Sequence, residues 1–402
     1  MRIAALIIVT TCAVACARSS GGAPSGACIA QATAVYDSLP LVRRVDGTVW
    51  VTAADRKSFT EIRGPSGHLH ALDVAASGST AYGSATGCAI VEGGQVSCFP
   101  LSGPLIDSTP LGGGQGAGVT TSTVVTVVTA ADASATPLAG ARQLAASMNG
   151  GSAVFCVVTA AGGVSCWGFD VDGILGRGDG NDATFARPVL VDATTPFTDA
   201  AEIRLAFSSA CARKTDGSVW CWGDNSLAQT GVITATIAAI PFPTRVPLPG
   251  PAVRLATEPG NTHCAVLGTG QVACWGWNEY AQAGADAASA MVGPTIVLAA
   301  AGGSPLGDII DLAPDRGMQA MCATTTSGGL TCWGHPFAAA GRADVTSPYP
   351  IAIPLAGALR VPLSAFGARD GALVYVDSDG ELTIGAGAFP FAAQPPCGGT
   401  TL

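Results

Sequence analysis

The sequence predicts an all-β protein, a seven-bladed β-propeller, and three observations lead to this prediction. The chain of 402 residues contains 53 Gly and 26 Pro, a composition that disfavours a mostly helical fold. Ten of its 14 cysteines form five pairs of one spacing, each around a glycine turn. The turn glycine recurs roughly every 50 residues, a period typical of propeller blades built from several short strands.

Composition also limits the class of partner. Only 12% of the residues are charged and 48% are apolar, so the chain is expected to fold rather than to remain disordered. The net charge is −9, and the sequence has no long run of Lys or Arg. We therefore expect no nucleic-acid partner, and we expect an acidic surface to favour basic partners.

The first residues have the pattern of an export signal. Arg2 precedes a short apolar run, and small residues follow it. Residues 13–16 read Ala-Val-Ala-Cys, which resembles the lipobox of bacterial lipoproteins, where the cysteine is lipidated and becomes the new N-terminus. The sequence therefore predicts a signal peptide at 1–15, a lipid anchor on Cys16 and a flexible tether at 16–27.

Two alternatives to this anchor remain open. Lipidation of Cys12 would leave Cys16 as an odd thiol in an oxidising compartment, whereas lipidation of Cys16 leaves twelve cysteines. A plain cut near Ala15 or Ala17 would release a secreted protein. The predicted location is accordingly the cell envelope, with a lipid anchor at the outer membrane or cell surface, or the exterior.

Each of the five cysteine pairs has nine residues between its members. The pairs are Cys88 with Cys98, Cys156 with Cys166, Cys211 with Cys221, Cys264 with Cys274, and Cys322 with Cys332. A three-residue hairpin loop ending in Gly brings the two cysteines directly opposite each other, within disulfide range. Metal binding is the alternative, but the chain has no C-x-x-C and only four His. We therefore predict five disulfides.

The same turn recurs twice without cysteines, at Gly47 and Gly380. Apolar pairs stand where the cysteines would be: Leu41 with Val51, and Val374 with Ile384. Seven turns predict seven blades within residues 28–402. Cys28 and Cys397 are left over, and a bond between them would join the two ends of the array into a closed ring, whereas a solenoid would keep its ends apart.

The segments after the second cysteines carry a longer motif. Residues 221–231 read C-W-G-D-N-S-L-A-Q-T-G and residues 274–284 read C-W-G-W-N-E-Y-A-Q-A-G. They resemble the repeat of the regulator of chromosome condensation family, also called alpha-tubulin suppressor-like, whose signature runs W-G-x-N-x-x-G-Q-L-G. The resemblance implies a seven-bladed propeller from an exported bacterial branch. Ala replaces Gly at 228 and 281, and Cys98 is not followed by Trp-Gly.

Aromatic residues provide the candidate binding positions. Four tryptophans each follow a second cysteine: Trp167, Trp222, Trp275 and Trp333. Strand alternation directs them away from the disulfide face, so we predict that they form core between blades, with carbohydrate stacking as the alternative. Trp277 is expected to lie in a loop beside Glu279 and Tyr280. These three form the candidate contact site, with simple packing as the alternative.

Neither a metal nor a cofactor is predicted. One loop contains four aspartates, but their spacing does not match the ligand positions of a calcium-binding EF-hand. These are Asp170, Asp172, Asp179 and Asp182. His68 and His70 share a face without a third ligand in the sequence. The chain has no G-x-S-x-G, P-loop or H-E-x-x-H motif, so no catalytic residue is assigned.

The expected function is non-catalytic binding of a protein or glycan at the cell envelope by a monomeric propeller. One alternative is an inhibitor of an extracellular enzyme, which would show a compact aromatic cluster on one face. Another is a polysaccharide-active enzyme, which would show three or more carboxylates or His at the channel mouth. Nucleotide exchange, an activity of the resembled family, is rejected because an exported chain does not meet a cytosolic GTPase.

Overall fold

The computed structural model describes most of the chain from Ile29 to Ile384. The described residues are 29–34, 40–44, 46–52, 59–65, 67–79, 83–101, 109–114, 124–147, 151–233, 237–258, 260–314, 319–335, 346–353, 366–367, 373–376 and 382–384. The predicted signal peptide, Cys16, the tether, Cys28 and Cys397 lie outside them. The predictions for these residues therefore stay predictions.

Strands dominate the described residues and form seven antiparallel sheets, each built from strands consecutive in sequence. The first sheet contains β1 (Ile29–Ala34), β2 (Pro40–Arg44), β3 (Val49–Thr52), β4 (Phe59–Gly64) and β5 (Gly67–His68). The second contains β6 (Ala71–Ser77), β7 (Thr86–Val91), β8 (Val96–Pro100) and β9 (Val125–Thr126). The third contains β10 (Ala141–Ala146), β11 (Val154–Thr159), β12 (Val164–Gly168) and β13 (Ala183–Pro188).

The remaining sheets repeat this plan. The fourth contains β14 (Ala200–Leu205), β15 (Ser209–Lys214), β16 (Val219–Asp224) and β17 (Ala239–Arg245). The fifth contains β18 (Ala252–Glu258), β19 (Thr262–Leu267), β20 (Val272–Trp277) and β21 (Met291–Ile296). The sixth contains β22 (Ile309–Pro314), β23 (Ala320–Thr325), β24 (Leu330–Gly334) and β25 (Ser347–Ile353). The seventh contains β26 (Phe366–Gly367), β27 (Leu373–Val376) and β28 (Leu382–Ile384), and 3-10 helices lie at Glu92–Gly94, Thr109–Leu111 and Val171–Gly173.

The sheets pack as the blades of a propeller. The first strands of the first six sheets, β1, β6, β10, β14, β18 and β22, contact one another in chain order, so they line the inside and the later strands lie outward. The core lies between blades, and one buried cluster extends across the second, third and fourth sheets. The predicted all-β propeller class is therefore confirmed. In the described part of the chain, no helix has the length and apolar character of a membrane span.

The predicted turn between the second and third strands is confirmed. Gly217 has φ +82°, and its N–H donates to the carbonyl of Lys214 (3.0 Å). The equivalent glycines in the first, second, third, fifth and sixth sheets also have positive φ, between 72° and 83°. A Gly in the left-handed region closes this loop without the steric cost of a side chain. The turn also ties blades together, because the Gly217 carbonyl accepts from the N–H of Ala252 in the next sheet (2.8 Å).

All five predicted disulfides are present, one in each sheet from the second to the sixth. They join Cys88 to Cys98, Cys156 to Cys166, Cys211 to Cys221, Cys264 to Cys274, and Cys322 to Cys332. In each pair the cysteines are direct cross-strand partners, with Cα atoms 4.0–4.1 Å apart, and all ten are buried. The metal alternative for these cysteines is therefore wrong.

The two hairpins without cysteines have the predicted register as well. Leu41 faces Val51 in the first sheet, and Val374 faces Ile384 in the seventh. Apolar pairs therefore replace the disulfide without a change in strand pairing. The spacing of nine residues defines the same hairpin register wherever it occurs.

The four tryptophans that follow second cysteines are fully buried between blades, as predicted. Each indole Nε1 donates to a backbone carbonyl of the preceding blade: Trp167 to Pro110, Trp222 to Ile174, Trp275 to Gln229 and Trp333 to Gln282, at 2.7–3.0 Å. A buried indole N–H needs such a partner. This burial leaves no ring face for carbohydrate stacking, so core packing is the correct interpretation.

The Gly after each of these tryptophans is required by close backbone approach. Gly223 has φ +97°, and a Cβ there would lie 2.5 Å from the Ser208 carbonyl oxygen. The equivalent glycines of the third, fifth and sixth sheets face a carbonyl at 2.2–2.3 Å. In each Trp-Gly pair, the Trp side chain therefore fills the space between two blades. The following position accepts only Gly, because a Cβ there would clash with a backbone carbonyl.

Candidate binding site on the loop face

The loops after the third strands share one end of the propeller, here called the loop face. The turns between second and third strands lie at the opposite end, the turn face, because those two strands are antiparallel. Buried Asn278 organises the loop of the fifth sheet: its Nδ2 donates to the carbonyls of Ala285, Asp286 and Ser289 at 3.0–3.2 Å. Asn225 makes equivalent bonds to carbonyls of the loop in the fourth sheet. This bonding explains why the repeat carries Asn there.

The two departures from the repeat signature occur at strained positions. Ala228 and Ala281 stand where the third sheet has Gly173, and all three have positive φ, at 60°, 59° and 82°. An L-residue in this region costs roughly 1–2 kcal/mol. Both alanines are buried, so the surrounding loop holds them in place. The loop therefore keeps its conformation although Ala replaces the Gly of the repeat signature at 228 and 281.

An aromatic cluster lies on the loop face between the fifth and sixth blades. Trp277 and Tyr280 meet edge to face with centroids 5.4 Å apart, and Tyr280 contacts the His335 ring at 5.7 Å. The Trp277 ring lies against the Gly260 backbone, where a Cβ would come within 2.6 Å of it. Trp277 and Tyr280 are half-buried, and Glu279 between them is exposed. The structure thus places the three predicted contact residues together at the surface and adds His335.

Two exposed aliphatic side chains extend this cluster toward the fourth blade. Met291 is the direct cross-strand partner of Trp277 and is 43% exposed. Ile233 is 69% exposed, and its side chain covers Gly293, two residues along the same strand. We call Trp277, Tyr280, Met291, Ile233 and His335 the loop-face cluster. Rigid aromatic and Met side chains with an acidic neighbour form a surface suited to binding.

The inner strands carry a second polar arrangement. In each of the first six sheets, the third residue of the innermost strand is polar. These residues are Gln31, Asp73, Gln143, Glu202, Arg254 and Asp311. Most of these side chains bond to the next blade. Gln143 receives the N–H of Ile203 (2.9 Å) and donates to its carbonyl (3.2 Å), and Glu202 receives the N–H of Leu255 (3.1 Å). These bonds join neighbouring blades along the channel.

The inner-strand carboxylates are occupied by these contacts. Asp73 accepts the N–H of Leu144 (2.8 Å), and Glu202 pairs with Arg204 (2.9 Å). Burial raises the pKa of Asp73 and Asp311, although hydrogen bonds from backbone N–H groups oppose that shift. The described inner strands therefore carry four carboxylates, Asp73, Glu202, Glu258 and Asp311, and no three His, Cys, Asp or Glu side chains of the described residues form a group able to hold a metal ion.

A buried Ser–His contact between the fourth and fifth blades is structural. His263 Nε2 lies 2.9 Å from Ser209 Oγ, and Nδ1 lies 3.0 Å from Thr257 Oγ1. The ring stacks on Trp275 at 5.9 Å, and no part of His263 is exposed. Burial lowers the pKa of His263 to about 3, so the imidazole is neutral at ordinary pH. A substrate has no access to this pair, and a Thr stands where a triad would have an acid.

The other candidates from the sequence have ordinary partners. Asp170 accepts the N–H of Leu175 (2.9 Å), and Asp179 pairs with Arg177 and Arg187 at 3.0–3.1 Å. The acidic loop is therefore organised by backbone and arginine contacts. His68 contacts Glu61 and lies 6.3 Å from the His70 ring.

Sequence reasoning missed three members of the loop-face cluster. His335 comes from the sixth blade and Ile233 from the fourth, so they lie near the fifth blade only because neighbouring blades pack together. Met291 belongs to the same blade as Trp277 and lies beside it through the pairing of β20 with β21, a register that the sequence analysis did not predict.

Comparison with known proteins agrees with the fold. A model of the Regulator of chromosome condensation (RCC1) repeat matches residues 207–229, which contain the β15–β16 hairpin and the following loop. A search of curated proteins finds no match. Human WBSCR16 is similar in structure, with TM-score 0.62, 15% identity, and coverage of 84% of this chain and 85% of that one.

Two yeast structures give similar values. A chain in the structure of Kap60 bound to yeast RCC1 (Prp20) has TM-score 0.60 and 15% identity, covering 84% of this chain and 78% of that one. Prp20p from Saccharomyces cerevisiae has TM-score 0.56 and 16% identity, covering 80% and 76%. At these identities the likeness concerns the fold. The chain therefore carries a repeat of the regulator of chromosome condensation type and has the fold of the propellers built from such repeats.

Proposed function

We propose that this chain is an exported, non-catalytic protein-binding module that recognises its partner through the loop-face cluster. The observation that supports the proposal most strongly is the edge-to-face pair of Trp277 and Tyr280 at the surface, with exposed Met291 paired opposite Trp277 and exposed Ile233 on the same sheet at Gly293. Half-buried aromatic residues and Met are enriched where proteins meet, whereas a glycan site relies more on polar groups around one ring. Exposed Glu279 at its centre favours a basic partner.

The scaffold proposed for this role is a closed ring of seven blades in a monomer, with Cys28 bonded to Cys397. Support comes from the seven consecutive sheets of the described residues and from the stepwise contact of the first strands. A ring joined at its ends would present the loop face as one rigid surface, which lowers the ordering cost of binding.

Binding of proteins also agrees with the similar structures. By their titles, yeast RCC1 (Prp20) binds Kap60, and Prp20p was studied for binding to Gsp1p and histones. The partner of the present chain is a different molecule, because we place the chain in the cell envelope. Non-catalysis is supported by Asp73 and Glu202 on the inner strands, because each accepts a backbone N–H of the next blade.

The test is a comparative capture from the envelope and secreted proteins of the producing cell. The bait is the mature chain, and the variant is Trp277→Ala/Tyr280→Ala. We expect at least one protein to be retained by the wild type and to bind the variant about 30- to 1,000-fold more weakly once purified, because each of the two truncated anchors contributes about 1–2 kcal/mol.

The matched control is Leu72→Ala, an exposed apolar residue (62%) on the inner strand β6. It should bind the same partner as the wild type does. If the double variant also keeps every partner at unchanged affinity while retaining its fold by circular dichroism, the loop-face cluster is not the binding surface.

Inhibition of an extracellular enzyme is the second candidate. The compact aromatic cluster on one face is the feature that we expected of such an inhibitor. The purified partner distinguishes the two functions: an inhibitor abolishes the partner's hydrolytic activity at a one-to-one ratio, and the double variant does not.

Export and lipid attachment are tested separately. Cells that express the full chain and grow with labelled palmitate should yield a labelled protein in the envelope fraction, and Cys16→Ala should abolish the label, because the acyl group is attached to that cysteine. Cys12→Ala is the matched control and should stay labelled. A label that survives Cys16→Ala would move the anchor to Cys12, and an unlabelled wild type would indicate plain secretion.

A further inference from the structure

A cleft on the turn face of the fourth blade combines one indole with charges of both signs. Its volume is about 310 Å³, and its lining includes Trp220, Lys214, Arg245, Asp199 and Asp216. We call these five residues the turn cleft. This volume lies at the small end of the range for ligand pockets, so it suits a ligand of one or two rings. The cleft and the loop-face cluster are at opposite ends of the propeller.

The indole of the turn cleft is held in one orientation. Trp220 Nε1 donates to Ser218 Oγ (3.1 Å), which in turn donates to Asp216 Oδ1 (2.7 Å). The Lys214 ammonium lies 4.6 Å from the Phe197 ring centroid and 5.4 Å from that of Trp220. Trp220 stays half-buried, with a polar edge fixed toward the turn. The ring is therefore preorganised before any ligand arrives.

The two cations of the turn cleft are unneutralised. Arg245 is the direct cross-strand partner of Trp220. Within the described ranges, neither Lys214 nor Arg245 has a carboxylate oxygen within 4.0 Å, although both help to lower the pKa of Asp216 after the larger effect of the Ser218 hydrogen bonds. Two free cations beside an aromatic ring are unusual on a chain with net charge −9.

The first blade supplies an internal comparison, because its turn has the same local structure. Trp50 Nε1 donates to Thr48 Oγ1 (2.9 Å), and Thr48 donates to Asp46. There, however, the cation is neutralised: Arg44 pairs with Asp46 at 3.3 Å. The cross-strand partner of Trp50 is Glu61 rather than an arginine. The open cationic pair is thus a feature of the fourth blade and not a requirement of the turn.

We propose that the turn cleft binds an acidic saccharide, a sugar ring that carries one carboxylate and several hydroxyls. Lys214 and Arg245 would pair with the carboxylate, and the C–H face of the ring would lie on Trp220. Asp216 uses only Oδ1 and Asp199 only Oδ2 in hydrogen bonds among the described residues, so each has an oxygen left for a sugar hydroxyl. The same two carboxylates would repel a phosphate dianion more strongly than the single negative charge of a uronate, and the two cations would repel an amine.

The test uses the intact mature protein and oligomers of galacturonic acid, followed by tryptophan fluorescence and calorimetry. For a ligand of this size we expect a Kd on the order of 1 mM. Lys214→Gln and Arg245→Gln should each weaken binding about tenfold or more, and Trp220→Ala should abolish it. The matched control is Arg254→Gln, which removes an exposed cation on the inner strand β18 and should leave Kd unchanged.

Three results would overturn the proposal. They are equal affinity for the neutral galactose oligomer, tighter binding of a peptide with a free C-terminal carboxylate, and absence of binding at about ten times the expected Kd. The loop-face variant Trp277→Ala/Tyr280→Ala should bind the uronide normally, so failure of this site and failure of the protein-binding proposal are separate outcomes.

Discussion

Replacement of Trp222 by Ala is expected to lower the free energy of unfolding by about 3–5 kcal/mol. The side chain is fully buried between the third and fourth blades, where it contacts Phe197 at 6.1 Å between ring centroids. Its Nε1 donates to the Ile174 carbonyl at 2.7 Å. The truncation leaves a cavity between the blades and leaves the buried Ile174 carbonyl without its hydrogen-bond donor. The free-energy cost of the cavity and the cost of the lost hydrogen bond therefore add.

The natural control is Trp220, two residues earlier on the same strand and half-buried. Trp220→Ala should cost about 1–2 kcal/mol, because its ring keeps contact with water in the folded state. Trp222→Phe separates the two contributions: it retains most of the ring and removes the N–H, for about 1–3 kcal/mol. Denaturant unfolding with the disulfides intact measures all three. Equal losses for the two alanine variants would mean that the blade contact at Trp222 is not what stabilises the fourth blade.

Local repeats made the fold predictable. The hairpin register follows from nine residues between cysteines and a Gly at the sixth position, and the structure reproduces it with and without the disulfide. Burial of Trp222 followed from its alternation with Cys221. These features depend on one hairpin and its turn, so a single sequence segment contains the information needed to predict them.

The polar contacts between blades were not predictable in this way. Gln143 and Glu202 look like ordinary strand residues in the sequence, yet each completes the backbone of the next blade. Their partners lie 53–60 residues away in sequence and meet them only when neighbouring blades pack together. The turn cleft was missed because Asp199, just before β14, and Arg245 on β17 come near the Trp220 turn only when the four strands of the fourth sheet pair.

Blade 2 shows how far the repeat can diverge. Cys98 is followed by Phe-Pro instead of Trp-Gly, and the sequence suggested that the loop had drifted. The structure places the Pro110 carbonyl where other blades present a loop carbonyl, and it receives Trp167 Nε1 at 3.0 Å. The contact between the second and third blades is therefore kept by a different segment, which a motif search would not find.

The titration of His263 alone is expected to lower the free energy of unfolding by about 1.4 kcal/mol for each unit by which the pH drops from 6.5 toward 3. Burial lowers the pKa of this imidazole from 6.5 to about 3 in the folded protein. Between these values the unfolded chain binds a proton that the folded chain does not. The neutral, buried His263 therefore contributes its full stabilisation of the folded protein, about 5 kcal/mol, above pH 6.5. This stabilisation is lost as the pH falls to the pKa of His263 in the folded protein.

The aspartates of the inner strands act in the opposite direction. Burial raises the pKa of Asp73 and Asp311 above 3.8, so the folded chain retains protons that the unfolded chain releases. Their contribution therefore weakens as the pH rises through that range. The measured stability of the wild type is the sum of both effects, and only a variant that removes the His263 titration can isolate its part.

The third blade supplies that variant. Phe155 occupies the position of His263, opposite the tryptophan of its own hairpin, and stacks on Trp167 at 5.8 Å and 19°, nearly the same geometry as His263 on Trp275. His263→Phe should therefore keep the stacking and remove the dependence of the unfolding free energy on the titration of His263. Loss of the bonds to Ser209 and Thr257 lowers that free energy by the same amount at every pH.

The readout is the difference in unfolding free energy between wild type and variant from pH 7 to pH 4. A wild-type-minus-His263→Phe difference that stays constant over this range would mean that the imidazole reaches water in the folded protein, and the close packing assigned to the β19–β20 hairpin would then be wrong.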